Sequence, residues 1–411
     1  MNERFIKMKK RLQIKNIGQI LSLCCFVILN TACSQAVPQA VNEVKIDLTK
    51  QAKTNAAADN HATSPKKVVD DNTLTLLVEK SEFLTQTPYK LLGPKEVERW
   101  EPSGVAATNE GLWVVSDREG WMTFYPLPLK KGVNEPSIMH KLKPDLKNRI
   151  KWEGLDWAES KADGTSSLLI LEAISRSIWQ CDQPKDGCPK LTRIDPLPLN
   201  NFLNNAVPKT FKYIMFEAVA FFQGPMIGVR GYQDSKRGLV PWSLLTAFDG
   251  KMVLDARSSI TVDGKKYGVS GATFDAKREG FWLTWSYEDE GGSTAGSVAG
   301  MLSFAPIQMA KKEEESTSPK GLEFGSNRID LHTGGLKVCT RFQLKPEGVS
   351  VNKKDELFVV FDEDLDRKAG EESDSPTTAS SQRFPLLDNQ DYLYTANADK
   401  LLAKCKSVKV K

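Results

Sequence analysis

The chain has 411 residues, of which 40% are hydrophobic and 26% charged, and a formal net charge of +4. That length fits one large all-β unit as well as two average domains. The basic excess lies before Cys33, where six of the 56 Lys/Arg and one of the 52 Asp/Glu occur. The remainder therefore carries 50 basic and 51 acidic side chains and lacks the clustered positive charge that nucleic-acid binding requires.

The first 32 residues read as a secretory leader. Arg4, Lys7, Lys9, Lys10, Arg11 and Lys15 precede an apolar run, Ile20 to Leu29, which is too short for a permanent membrane span. Thr31-Ala32-Cys33 resembles a bacterial lipobox, although Asn30 stands where that pattern usually has Leu. The resemblance implies cleavage before Cys33 and lipidation of its thiol. With Ser34 rather than Asp following, it implies delivery to the outer membrane of a Gram-negative envelope. Ordinary signal-peptide cleavage nearby is the competing reading. Residues 33–72, rich in Ala, Asn, Gln, Thr and Lys without a periodic apolar face, read as a lipidated cysteine on a flexible tether.

From residue 73 onward the pattern is all-β. A short element returns five times: Ser103-Gly104-Val105, Glu153-Gly154-Leu155, Glu217-Ala218-Val219, Ser270-Gly271-Ala272 and Glu347-Gly348-Val349. Second β-rich runs follow, such as Leu112–Asp117, Phe281–Ser286 and Leu357–Asp362. Asp-Gly turns at Asp163, Asp249 and Asp263 separate apolar runs. Recurrence at blade-like intervals predicts a single β-propeller of five or six blades over 73–411, the count depending on whether the first and last strands combine to close the ring. A sandwich is the competing architecture and does not explain the recurrence. Two stretches, 311–327 and 368–383, are acidic or Ser/Thr-rich and read as solvated loop insertions.

Removing the leader and the lipidated Cys33 leaves Cys181, Cys188, Cys339 and Cys405, an even number in an exported chain. Cys181 and Cys188 bracket Pro184 and Asp186-Gly187, which predicts a disulfide across a hairpin loop and leaves Cys339 to pair with Cys405. A zinc site is the rival, without a Cys-x-x-Cys or a nearby His to support it.

Ser103–Ala106 with Val114–Arg118, Glu153–Asp156, Phe216–Ala220 and Lys345–Val349 together resemble the bacterial phytase-like or DUF3616-type β-propellers. The resemblance spans roughly residues 101–366. It implies a fold first, because one fold hosts many chemistries.

If the repeats begin the inner strands, Ser103, Glu153, Glu217, Ser270 and Glu347 converge near one mouth of the central channel. Glu153, Glu217 and Glu347 are then candidate ligands for a hard cation such as Ca²⁺. The alternative is that each Glu bonds to backbone N–H groups of the next blade and locks the ring. Asp117 and Asp362 end second strands and are candidate general bases. Arg230, between Gly228 and Gly231, is expected to be exposed and to grip a carboxylate or phosphate, or to pair with Asp234. Trp113, Trp152, Trp157, Trp179, Trp242, Trp282 and Trp285 read as core or as a ligand platform. Only three histidines and no Gly-x-Ser-x-Gly elbow occur, which disfavours histidine-rich metal sites and a standard serine hydrolase.

Two functions remain open. One is a monomeric, lipid-anchored envelope module that binds a protein, glycan or small ligand. The other is a metal-assisted phosphoester hydrolase using Glu153, Glu217 and Glu347 for the ion, Asp117 or Asp362 to activate water, and Arg230 for the anionic group.

Overall fold

The computed structural model describes residues 76–77, 83–84, 87–97, 100–117, 120–142, 150–159, 166–194, 213–222, 224–232, 242–247, 252–255, 260–262, 265–287, 299–307, 327–330, 336–362, 390–407 and 409–410. The leader, Cys33, the tether, Arg118, Asp234 and most of both predicted insertions lie outside them. The described part is a β-propeller.

Five antiparallel sheets radiate as blades. Blade 1 runs outward through Pro102–Ala107, Gly111–Ser116, Trp121–Pro126 and Ile138–Lys141, and blade 2 through Trp152–Glu159, Ser166–Glu172, Ser177–Cys181 and Leu191–Ile194. Blade 3 comprises Tyr213–Phe221, Pro225–Tyr232, Trp242–Ala247 and Met252–Asp255; blade 4 comprises Lys265–Asp275, Gly280–Tyr287, Ala299–Pro306 and Lys337–Phe342. Blade 5 takes Pro346–Val351, Glu356–Phe361 and Gln390–Asn397 from the C-terminal part. Its fourth strand, Tyr89–Leu92, comes from the N-terminal part. The ring is thus closed by pairing the two ends of the domain. The predicted loop 311–327 is cut short by one strand, Asn327–Asp330, which pairs in parallel with Met252–Asp255.

Each repeat element lies on an innermost strand. These strands contact one another in order around the ring, the fifth returning to the first. The hydrophobic core is correspondingly divided into five clusters, one between each pair of neighbouring blades. Trp113 and Val115 of blade 1 meet Leu155, Ile170 and Trp179 of blade 2. Leu91, Phe358 and Val360 of blade 5 meet Val105, Leu112 and Val114 of blade 1. Alternating strand residues supply both faces of every sheet, so each blade is apolar on two sides. Trp113, Trp152, Trp179, Trp282 and Trp285 are buried as core rather than displayed as a platform, while Trp157 is half-buried. Burying such a side chain contributes about 1.5–3 kcal/mol.

Two disulfides form as predicted. Cys181–Cys188 closes the loop that carries the short 3₁₀ turn Pro184–Asp186. Cys339–Cys405 ties the C-terminal segment to the outer strand of blade 4, where Lys406–Ser407 also pairs with Lys337–Val338.

Small residues let the innermost strands touch backbone to backbone. A Cβ on Gly104 would lie 2.6 Å from Leu155 N and 2.7 Å from the Gly154 carbonyl carbon of blade 2. One on Gly348 would lie 2.9 Å from Val105 N and 3.0 Å from Gly104 Cα of blade 1. Neither obstacle is a flexible side-chain tip. Gly104→Ala is therefore expected to lower unfolding stability by about 1–3 kcal/mol, the usual range for forced overpacking. Urea denaturation would check this, and an unchanged midpoint would contradict the close approach.

Candidate functional site

Five irregularities in strand pairing place the five repeat side chains. In blade 1 the register slips between Pro102 and Gly104, in blade 3 between Phe216 and Ala218, in blade 4 between Val269 and Gly271, and in blade 5 between Pro346 and Gly348. In blade 2, Leu171 faces Gly154 while Glu172 faces Trp152. The skipped residue is Ser103, Glu153, Glu217, Ser270 or Glu347 every time. A β-bulge adds one unpaired residue and re-aims its side chain. The repeat is therefore a bulge, repeated five times at one level of the channel. Ser103, Ser270 and Glu347 line the channel together with the glycines and Ala218.

The two serines fasten blades together. Ser103 Oγ donates to Trp152 O of blade 2, and Ser270 Oγ donates to Pro346 O of blade 5. The three glutamates pair with cations. Lys151 contacts Glu153 and lies 3.5 Å from Asp117 of blade 1. Arg230 Nη1 lies 3.8 Å from Glu217. Lys345 Nζ lies 2.9 Å from Glu347 Oε1 and 3.3 Å from Asp362. All of these groups are buried except Asp117 and Lys151, whose side chains keep 12% and 23% exposure and form the solvent border of the cluster.

Burial pushes the Glu153 carboxyl up to about 8; Lys151 opposes the shift, while Glu217, Asp117 and Glu347 add to it. Burial likewise lifts Glu347 to about 7, against the pull of Lys345 and Arg230. Burial works against the charged form of Lys151, yet the negative charges of Glu153, Asp117 and Glu217 hold its ammonium above the usual lysine range. These mutual influences show that the charged groups of blades 1, 2, 3 and 5 form one electrostatic unit.

All six predicted site residues, Asp117, Glu153, Glu217, Arg230, Glu347 and Asp362, belong to this unit, but their roles differ from expectation. Arg230 is 3% exposed, so the flanking glycines do not present it to solvent. Its Nη2 donates to Ser286 Oγ at 2.6 Å and its Nε to Val269 O, stapling blade 3 to blade 4. The glutamates pair with cations rather than with backbone N–H groups of the next blade. Ca²⁺ takes six to eight oxygen ligands, whereas here each of the three glutamates already has an ammonium or guanidinium group beside it. Among the described residues no three His, Cys, Asp or Glu side chains are arranged to hold a metal ion. The donor set does not fit the expected cation.

Two important residues escaped the sequence reading, Lys151 and Lys345. Their signal was present: in blades 2 and 5 the repeat is Lys-x-Glu-Gly. A third is Asp156, two residues beyond Gly154. Its Oδ2 accepts from Phe221 N of blade 3 at 2.7 Å and its Oδ1 from Thr273 Oγ1 of blade 4 at 3.0 Å, so one carboxylate spans three blades. Burial raises it to about 7.

No family model and no curated protein matches the chain. Among solved structures, it is similar to glutaminyl cyclase from Myxococcus xanthus at 9% identity and a TM-score of 0.32, covering 71% of this chain and 94% of that one. A PQQ-bound aldose sugar dehydrogenase from Streptomyces coelicolor matches at 14% identity and TM-score 0.33, covering 76% and 100%. A gluconolactonase from Xanthomonas campestris matches at 14% and 0.29, covering 64% and 69%. Likenesses this distant assign no activity.

Asp156, Glu347 and Glu153 all carry raised values, so the folded chain binds more protons than the unfolded one between the ordinary carboxylate range and about 7 to 8. Their contribution is complete below about pH 4 and is lost as pH rises through 7 to 8. Asp156→Asn keeps an acceptor for Phe221 N and removes one titrating group. Its melting temperature is expected to fall less between pH 5 and pH 8 than that of the wild type, as calorimetry would measure. An identical pH dependence would exclude a raised Asp156.

Removing the Arg230 guanidinium strands Glu217 and leaves two carbonyls and a hydroxyl without their donor. Arg230→Met is expected to cost about 3–5 kcal/mol, the range for breaking one side of a buried pair. Arg230→Lys, which loses the forked geometry, should recover only part of it in the same urea titration.

Proposed function

We propose that the protein is a lipid-anchored β-propeller of the cell envelope that works as a ligand-binding or protein-interaction module. The observation that carries this reading is the occupation of the channel-mouth groups. Every bulge side chain is bonded across a blade boundary or paired with a cation. Nucleophilic or acid–base catalysis needs a group free to engage the substrate, within about 2.6–3.2 Å of the proton or atom it handles. Ser103 and Ser270, the hydroxyls at the channel, each donate their proton to a backbone carbonyl. The one histidine among the described residues, His140, sits on the outer strand of blade 1 and contacts Lys185 O. A cluster whose charges are organised in this way is suited to recognising charge.

The anchor in this reading is the lipidated thiol of Cys33, which would place the propeller at the outer membrane on its tether, as a monomer. Metabolic labelling with an alkynyl fatty acid in a Gram-negative host should mark the wild type and leave Cys33→Ser unlabelled. Equal labelling would remove the anchor from the proposal. Full-length protein is expected to release no product from a panel of phosphoesters and carboxylic esters, with or without Ca²⁺, and its melting temperature should not rise with Ca²⁺. Metal-dependent turnover that disappears in a folded Glu153→Gln variant would replace the binding module by a hydrolase.

A further inference from the structure

Among the described residues, the ion pairs of the channel mouth join five carboxylates, Asp117, Glu153, Glu217, Glu347 and Asp362, to three cations, Lys151, Arg230 and Lys345, two more negative than positive charges when all are ionised. The cations are already committed. Lys151 is shared by two acids, Lys345 by two, and Arg230 directs its N–H groups at Val269 O, Gly268 O and Ser286 as well as facing Glu217.

A second observation is independent of that count. Glu347 is 3% exposed and lines the channel, yet its Oε2 has no hydrogen-bond partner among the described residues. At the border of the cluster Asp117 Oδ1 is likewise buried without one among them. A buried carboxylate oxygen without a partner costs about 1–3 kcal/mol or more and is expected to find a donor. The neighbouring hydroxyls do not supply it, because Ser103 and Ser270 spend their protons on Trp152 O and Pro346 O. Their oxygens face the channel with lone pairs to offer. The channel leaves room for about one water-sized group.

We infer that the channel mouth binds the primary ammonium head of a small amine, with Glu347 Oε2 as its main acceptor. The head is the right size, brings positive charge to a site short of it, and presents N–H donors to an acceptor lining. A dication demands more oxygens than the paired carboxylates release. A quaternary ammonium group has neither the N–H donors nor the size. Without the amine the excess charge is held down by protons, in keeping with the raised Glu347 and Glu153. Binding near neutral pH would therefore release protons to solvent. The inference rests on the binding-module reading and supplies its ligand class.

The test is thermal unfolding of the full-length protein at pH 7.5 with methylammonium chloride, tetramethylammonium chloride or sodium chloride at equal ionic strength. Proton release into weakly buffered solution is recorded in parallel. Methylammonium is expected to raise the melting temperature saturably and to acidify the solution, with the other two salts giving only a common screening baseline. Glu347→Gln, shown to be folded by circular dichroism, should weaken the apparent affinity by about tenfold or more, because a charge-assisted bond becomes a neutral one. Equal responses to all three salts, or a full response in the folded Gln variant, would overturn the inference. If that variant does not fold, the wild-type comparison of the three salts and the proton release decides the matter alone. Failure here with the ester panel still silent removes the amine and leaves the module, whereas turnover on that panel removes the module itself.

Discussion

The structure depends on how closely five inner strands approach one another. Gly104, Gly154, Gly271 and Gly348 bring the backbone of one blade onto that of the next, with no space for even a methyl group between Gly348 and Val105 N. Hydrophobic burial between blades supplies the bulk of the driving force, as five separate clusters of aromatic and aliphatic side chains. Burial is non-directional, however, and would tolerate a wider ring. The glycine contacts and the cross-blade bonds of Ser103, Ser270, Arg230 and Asp156 set its radius.

The same constraint creates the charged mouth. A strand packed against neighbours on both flanks cannot direct a long polar side chain into the channel by ordinary alternation without losing its register. A bulge solves this by removing one residue from the ladder, and it occurs before the small residue in every blade. Serine at the bulge bonds the next blade, while glutamate needs a cation. Blades 2 and 5 supply that cation from the residue two positions earlier, just before the same strand, Lys151 and Lys345. Blade 3 has Met215 at that position and takes it from the facing strand, Arg230, which is paired with Met215 in the sheet. One motif is therefore stabilised by two routes, and the resulting pairs share a single electrostatic field.

Desolvation of these acids couples stability to proton binding through Glu153 and Glu347. At the next level of the channel Asp156 repeats the theme on its own, held by Phe221 N and Thr273 without any cation. A closed ring of this kind suits such an arrangement, since each acid is fixed from two or three blades and cannot relax toward water.

The sequence by itself determined the all-β class, the repeat and both disulfides. Period-two alternation, turn residues and cysteine spacing are local signals and survive without a structure. Glu153, Glu217 and Glu347 come close enough to influence one another because a repeat on a closed ring must converge at the channel. Tertiary structure alone decided what those residues do. Arg230 looked exposed between glycines, but the adjoining blade covers it and turns it into a staple. Glu153, Glu217 and Glu347 looked like free ligands until Lys151, Arg230 and Lys345 were placed beside them. The lysines of blades 2 and 5 stand two residues from their glutamates and left a local trace, but the bonds of Arg230 to Val269 and Ser286, 39 and 56 residues away, depend on which strands lie within a few ångströms and left none.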